Sequence, residues 1–452
     1  MEGRTSGLID LCKGNIMDTT DSSNQMATKL QRIAWLSERD EHKQFNWLMH
    51  HYNEETLKEC FYELDGKKAL GADGISKEQY HKNLDGNVRG LVAKMKRMAY
   101  VPGPVREVMI PKSNGKMRPL GISNIEDKIV QKMTAKILES IYEPLFCETS
   151  YGFRPGRSCH MAIKALHEHL YRNEVEMVLD VDIKNFFGTI DHNLLREMLE
   201  EKINDVRFIR YIVRMFRAGV LSEGDLKMSE EGVPQGSICS PILANIFAHY
   251  VIDMWIDNMV KPNCRGQVKM FRYADDMIIC CELESDAYRV KEALGKRLER
   301  FNLALSEEKT KIVPFSKAKA ERGIKQGTFD FLGFTFYLGR SRKGTVIPKV
   351  RTCGKAIRGK LKKVGEWMRR HRNRHTLPEI WQQFCVKLRG HINYYGVSFN
   401  TKHVDIFLDK AVGIVFKWLN RRSQKRAMTW REFEKYIQKN PYPRATVRVK
   451  LF

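Results

Sequence analysis

The chain reads as an α+β protein, and three observations carry that reading. An apolar run with Asp at alternate positions, Val178-Leu179-Asp180-Val181-Asp182-Ile183, has the period of a strand. A second pair of apolar runs, Lys269-Met270-Phe271-Arg272 and Met277-Ile278-Ile279-Cys280-Cys281, brackets a four-residue polar break and has the outline of a hairpin. Residues 354–422 carry three helical segments separated by breakers.

Taken in order, residues 1–25 are polar and hold no apolar core of signal-peptide length, while the sequence from Met26 onward looks helical. Residues 1–26 are therefore expected to be a leader with little role. Val108-Met109-Ile110-Pro111 and Met117-Arg118-Pro119-Leu120-Gly121-Ile122 flank Asn114-Gly115, the signal of strand, tight turn, strand. In the Asp-bearing run, a period of two places Asp180 and Asp182 on one face. Charged gatekeepers on an edge strand would explain the acids, but not their apolar flanks or the Phe186-Phe187 pair that follows. Tyr273-Ala274-Asp275-Asp276 falls at the turn of the central hairpin, so a sheet would fix both carboxylates. The helical segments span 354–372, 377–395 and 403–422. Between Arg340 and Arg426 stand 23 Lys and Arg against four acidic residues, more one-sided than an ordinary solvated surface. The interleaved Trp367, Trp381, Phe384, Tyr394, Tyr395 and Trp418 read as core.

Carboxylates held side by side repel each other unless a cation neutralises them, and hard oxygen ligands suit Mg²⁺. The two strands predict that Asp182 meets Asp275, with Asp276 nearby, around two Mg²⁺ ions about 3.5–4 Å apart. One ion lowers the pKa of an attacking hydroxyl and the other steadies a leaving pyrophosphate, which makes the reaction class nucleotidyl transfer.

On these motifs the chain resembles the reverse transcriptases encoded by group II introns, which combine copying of RNA with RNA splicing (maturase) activity. The resemblance implies a right-hand polymerase: fingers, a palm with an antiparallel sheet, and a helical thumb. It makes Asp182, Asp275 and Asp276 metal ligands, joined by the Ile183 carbonyl, and Phe187 a gate against the ribose 2′-hydroxyl. Gly232-Val233-Pro234-Gln235-Gly236-Ser237 resembles a nucleotide-pocket loop in which Gln235 and Gly236 line the site beside Tyr273. Lys112 and Arg118 correspond to triphosphate contacts, and Lys309, in Leu305-Ser306-Glu307-Glu308-Lys309-Thr310, to a general acid for the pyrophosphate. Phe331-Leu332-Gly333 resembles the primer grip. Arg154 and Arg157, in Tyr151-Gly152-Phe153-Arg154-Pro155-Gly156-Arg157, would meet the template backbone. Arg389, Tyr394 and Arg421 fall in stretches similar to the thumb, which grips intron RNA and the template–primer duplex. The implied units are 27–150 (N-terminal extension and fingers), 151–350 (palm with part of the fingers), 351–425 (thumb or maturase domain) and 426–452, a short basic DNA-binding remnant.

Composition agrees with polyanionic partners: 78 Lys and Arg against 54 Asp and Glu leave a formal charge of +24 over 452 residues. The expected partners are intron or other RNA template, DNA primer or target, and deoxynucleotides, with no membrane and no oligomeric state specified. The ten Cys include no Cys-x-x-Cys pair and read as reduced core residues, so the chain resembles family members without a C-terminal endonuclease. Its expected location is cytoplasmic, associated with a bacterial nucleoid. Two further readings stay open beside the intron enzyme: a domesticated relative in DNA repair or phage defence, and a non-catalytic RNA-binding splicing factor.

Overall fold

The computed structural model describes residues 20–111, 117–218, 220–222, 225–227, 232, 236–422 and 428–451, and they form an α+β fold. β1 (Val105–Pro111) pairs antiparallel with β2 (Met117–Ile122), Ile110 opposite Arg118, as the Asn-Gly signal predicted; its turn, 112–116, lies outside the described residues. β3 (Met177–Asp182) opens the central sheet. β4 (Val220–Ser222) and β5 (Asp225–Lys227) extend the first sheet in the order β2-β1-β4-β5. β6 (Val268–Tyr273), β7 (Asp276–Cys281) and β8 (Lys311–Pro314) complete the central sheet, antiparallel throughout, in the order β6-β7-β3-β8. β9 (Phe329–Phe331), β10 (Phe334–Arg340) and β11 (Val346–Thr352) make a third sheet laid against the central one.

Helices cover both faces of the central sheet. Leu179, Val181, Met277, Ile279 and Cys281 point into one core, shared with helices Ile125–Tyr142 and Ser240–Ala248. Val178, Ile278, Cys280 and Val313 point into a second, shared with helix Cys159–Arg172, the third sheet and the C-terminal helices. Burial on both faces is why Met277–Cys281 reads as an unbroken apolar run rather than an alternating one. Each such side chain contributes roughly 1.5–3 kcal/mol, so the strands that carry the acids are firmly seated.

The C-terminal helices are Gly354–His371, Leu377–Tyr395 and Thr401–Leu419, within three residues of the sequence-based bounds. The second begins where Thr376 and Glu379 form a reciprocal capping box. A fourth helix, Trp430–Lys439, lies within the stretch expected to be a short basic DNA-binding remnant. It buries Phe433, Trp381 Nε1 donates to the Asn440 carbonyl at 2.8 Å, and Val449 bridges to Val397. Residues 428–451 are thus packed into the same core as the helices before them. Among the described residues no helix is long and apolar enough to cross a membrane.

Candidate active site

The β6–β7 turn consists of Ala274 and Asp275, between the paired Tyr273 and Asp276. Ala274 has φ 58°, a left-handed conformation that costs a side-chain-bearing residue about 1–2 kcal/mol. The surroundings hold it there. Arg272, fully buried, donates from Nε and Nη2 to the two Asp253 oxygens at 2.7 and 2.5 Å, and from Nη1 to Asn245 Oδ1 at 3.0 Å and the Ala274 carbonyl at 3.2 Å. From the other side Gly152 presses its backbone on the hairpin: a Cβ there would lie 2.3 Å from the Ala274 nitrogen. Asn245 Nδ2 ties the two together by donating to the Gly152 carbonyl at 2.6 Å. Sequence reasoning missed Arg272, Asp253 and Asn245; the one available signal was an arginine inside an apolar strand next to the turn.

Across the sheet Asp182 stands directly opposite Asp276, and Asp180 opposite Ile278. The two-residue turn consumes Asp275, so Asp276 is the first residue of β7 and takes the position facing Asp182, with Asp275 beside it at the turn. Asp180, Asp182 and Asp276 therefore share one face. Burial above all, then the charges of Asp180, Asp275 and Asp182, push the Asp276 carboxyl up to about 7, against the pull of the Leu332 N–H that donates to it. Burial and the nearby Asp330 push Asp180 up to about 6. Asp180 thus belongs to the acidic cluster, as Asp276's strongest carboxylate neighbour. The Asp182 carbonyl accepts the Ser306 N–H at 2.8 Å and Lys184 N–H donates to Ala304 at 2.9 Å, so alternation turns the Ile183 carbonyl the other way, toward the hairpin. Clustered carboxylates raised chiefly by burial and further by their neighbours' charge, with a carbonyl beside them, fit hard divalent cations.

Lys309 sits on this cluster, its Nζ 2.9 and 3.0 Å from the two Asp182 oxygens. Phe187 lies half-buried, edge-on to Phe186 with centroids 5.7 Å apart. Tyr273 packs near the exposed Phe153, centroids 6.3 Å apart. Gly236 has φ 115° and a Cβ there would lie 2.3 Å from the Gly121 carbonyl, so its small size serves an approach to β2. Lys112 and Gln235 lie outside the described residues, and Arg118 is placed only by its backbone on β2.

Three expectations about nucleic-acid contacts are revised. Arg154 is buried and spends its five N–H groups on the Glu143 carboxylate and carbonyl and the Cys147 and Ser150 carbonyls, at 2.7 to 3.4 Å, which leaves none for a template phosphate. The Phe331 side chain is 1% exposed and belongs to the core, so only the Leu332-Gly333 turn beside it is open to a primer. Tyr394 is half-buried and donates its hydroxyl to the Leu332 carbonyl at 2.9 Å instead of facing outward. Arg157 is half-exposed, and Arg389 and Arg421 are exposed, the last 5.4 Å from the centre of the Trp418 ring, which Arg372 covers at 4.9 Å.

An acidic hairpin opposite a second acidic strand, flanked by a basic helical layer, defines a class of sites built to hold divalent cations against a polyanion. Residues 110–336 match the family described as reverse transcriptase (RNA-dependent DNA polymerase), and the chain belongs to that family. It is 30% identical over 419 residues to the group II intron-encoded protein LtrA of Lactococcus lactis subsp. cremoris, covering 74% of this chain and 66% of that protein. It thus spans just under two thirds of that relative's length. Protein YkfC of Escherichia coli (strain K12) is 31% identical over 309 residues, 62% of this chain and 78% of its own. An uncharacterized 91 kDa protein in the cob intron of Schizosaccharomyces pombe is 43% identical over 166 residues, 37% of this chain and 20% of its own.

Proposed function

We propose that this chain is an RNA-directed DNA polymerase of the group II intron type, which copies RNA into DNA and binds intron RNA to assist its splicing. The observation that carries the reading is the register that sets Asp182 against Asp276, with Asp275 at the adjoining turn and Asp180 on the same face. In this reading the central sheet is the palm, the β1–β2 hairpin belongs to the fingers, and the helices from Gly354 onward form the thumb.

Asp182, Asp275, Asp276 and the Ile183 carbonyl would hold two Mg²⁺ ions, which supply activation of a 3′-hydroxyl and charge neutralisation on the triphosphate. Phe187 would close the sugar site against a 2′-hydroxyl, with Tyr273, Gln235 and Gly236 around the nucleotide and Lys112 and Arg118 on its phosphates. Lys309, whose Nζ rests on Asp182, would give its proton to the departing pyrophosphate. The backbone of Leu332 and Gly333 would steady the primer end, while Arg157, Arg389 and Arg421 take phosphates of template or intron RNA. Deoxynucleotides, RNA template and DNA primer are then the substrates, and the cytoplasm beside the nucleoid is the setting.

Primer extension on an RNA template with Mg²⁺ and deoxynucleotides tests this. Extension by the wild type and none by Asp275→Asn is the expected result. Tight, salt-dependent RNA binding without extension by either would replace the polymerase with a splicing or structural RNA partner.

A further inference from the structure

The β9–β10 turn lies between the acidic face and the end of helix Leu377–Tyr395. Its Leu332 peptide is held at both ends: the N–H donates to the Asp276 carboxylate and the carbonyl accepts the Tyr394 hydroxyl at 2.9 Å. Both turn residues have positive φ, 49° at Leu332 and 78° at Gly333, so the peptide keeps this aim only while its neighbours enforce it. Those neighbours belong to the C-terminal helices. Phe334 stacks on Tyr394 with centroids 5.8 Å apart, and a Cβ on Gly333 would come within 2.8 Å of the Tyr395 hydroxyl.

Tyr394 is itself anchored, since His160 Nε2 lies 2.7 Å from its main-chain carbonyl, within hydrogen-bonding distance. The Cys159 thiol lies beside the hydroxyls of both Tyr394 and Tyr273. Asp276, one flank of the acidic turn, is linked through the Leu332 peptide to one phenol on the basic helical layer.

We infer that Tyr394 is a positioning residue for Asp276, acting through the Leu332 peptide, and that it couples the seat of the C-terminal helices to the aim of the carboxylate. The inference rests on the polymerase reading. It contrasts with a direct contact between Tyr394 and RNA, because an inward hydroxyl alters the rate of chemistry and an outward one alters affinity.

The test uses the full chain, an RNA template annealed to a DNA primer, and two measurements: the dissociation constant of the duplex, and the single-turnover rate of one deoxynucleotide addition at saturating duplex. Tyr394→Phe is expected to lower the rate about 10-fold, the equivalent of one hydrogen bond, with the dissociation constant unchanged within about twofold. His160→Ala, which releases the main-chain carbonyl of Tyr394 and leaves the phenol in place, is expected to give the same split in smaller measure and keeps the inference exposed if Tyr394→Phe folds poorly. Weaker duplex binding at an undiminished rate, or wild-type values for both variants, would overturn the coupling. A wild type that does not extend at all would instead remove the polymerase reading beneath it.

Discussion

Asp276 carries the clearest electrostatic signature at the residue scale. In the folded protein its carboxyl is held up at about 7, against an ordinary value of 3.8 once the chain unfolds. Its contribution to stability is therefore full below the unfolded value and is lost as the pH rises through the folded one. In the presence of chelator, the melting temperature is expected to fall between about pH 4 and about pH 7. Asp276→Asn, which cannot ionise, should recover on the order of 2–4 °C at the upper end. An equal fall in variant and wild type, followed by calorimetry, would mean that the carboxylates do not strain one another. Phe187 bears on specificity. If its ring closes the sugar site, Phe187→Ala should raise ribonucleotide incorporation about 10-fold or more relative to deoxynucleotide, and unchanged discrimination in competition assays would remove that role.

At the scale of elements the acidic hairpin depends on what grips it. Two backbones meet where Gly152 lies on Ala274, and neither has a flexible side chain to give way. Gly152→Ala should shift the turn by a fraction of an ångström or more and slow extension by about 10²-fold, with far-UV circular dichroism unchanged. Extension at the wild-type rate would show that the turn does not need this support. Much at this scale was legible in the sequence: the β1–β2 hairpin, the Asp-bearing strand, the β6–β7 hairpin and the three C-terminal helices all have local signals of turn, period or cap. The Arg272 grip was not, because Asp253 and Asn245, on one continuous helical stretch, and Gly152, on a separate segment, meet the hairpin only when the cores close around the sheet. Arg154 was misread for the related reason that burial is not written beside a residue: the same Arg could serve a phosphate outside or five acceptors inside.

For the whole molecule the charge of +24 sets the expectations about nucleic acid. If RNA binding neutralises about 6–10 phosphates, affinity should fall by about 10³–10⁵ between about 50 and about 200 mM salt. Arg389, exposed on helix Leu377–Tyr395, should account for about one unit of that slope, so Arg389→Ala is expected to flatten log affinity against log salt by about that much. A slope independent of Arg389 in filter-binding measurements would move the RNA to another face.

The sequence by itself determined which strands hold the carboxylates, that a tight hairpin turn sits among them, and that a basic helical layer follows them. Period and turn length are local properties, and local properties can be read from the chain. Tertiary structure alone decided that Asp276 rather than Asp275 faces Asp182, that Asp180 joins the cluster, that Arg154 and Tyr394 turn inward, and that residues 428–451 complete the helical core. Most of these depend on register across strands or on burial between distant elements, and Arg154 on acceptors 4 to 11 residues away that close around it only when its loop is packed; neither is fixed until the packing is.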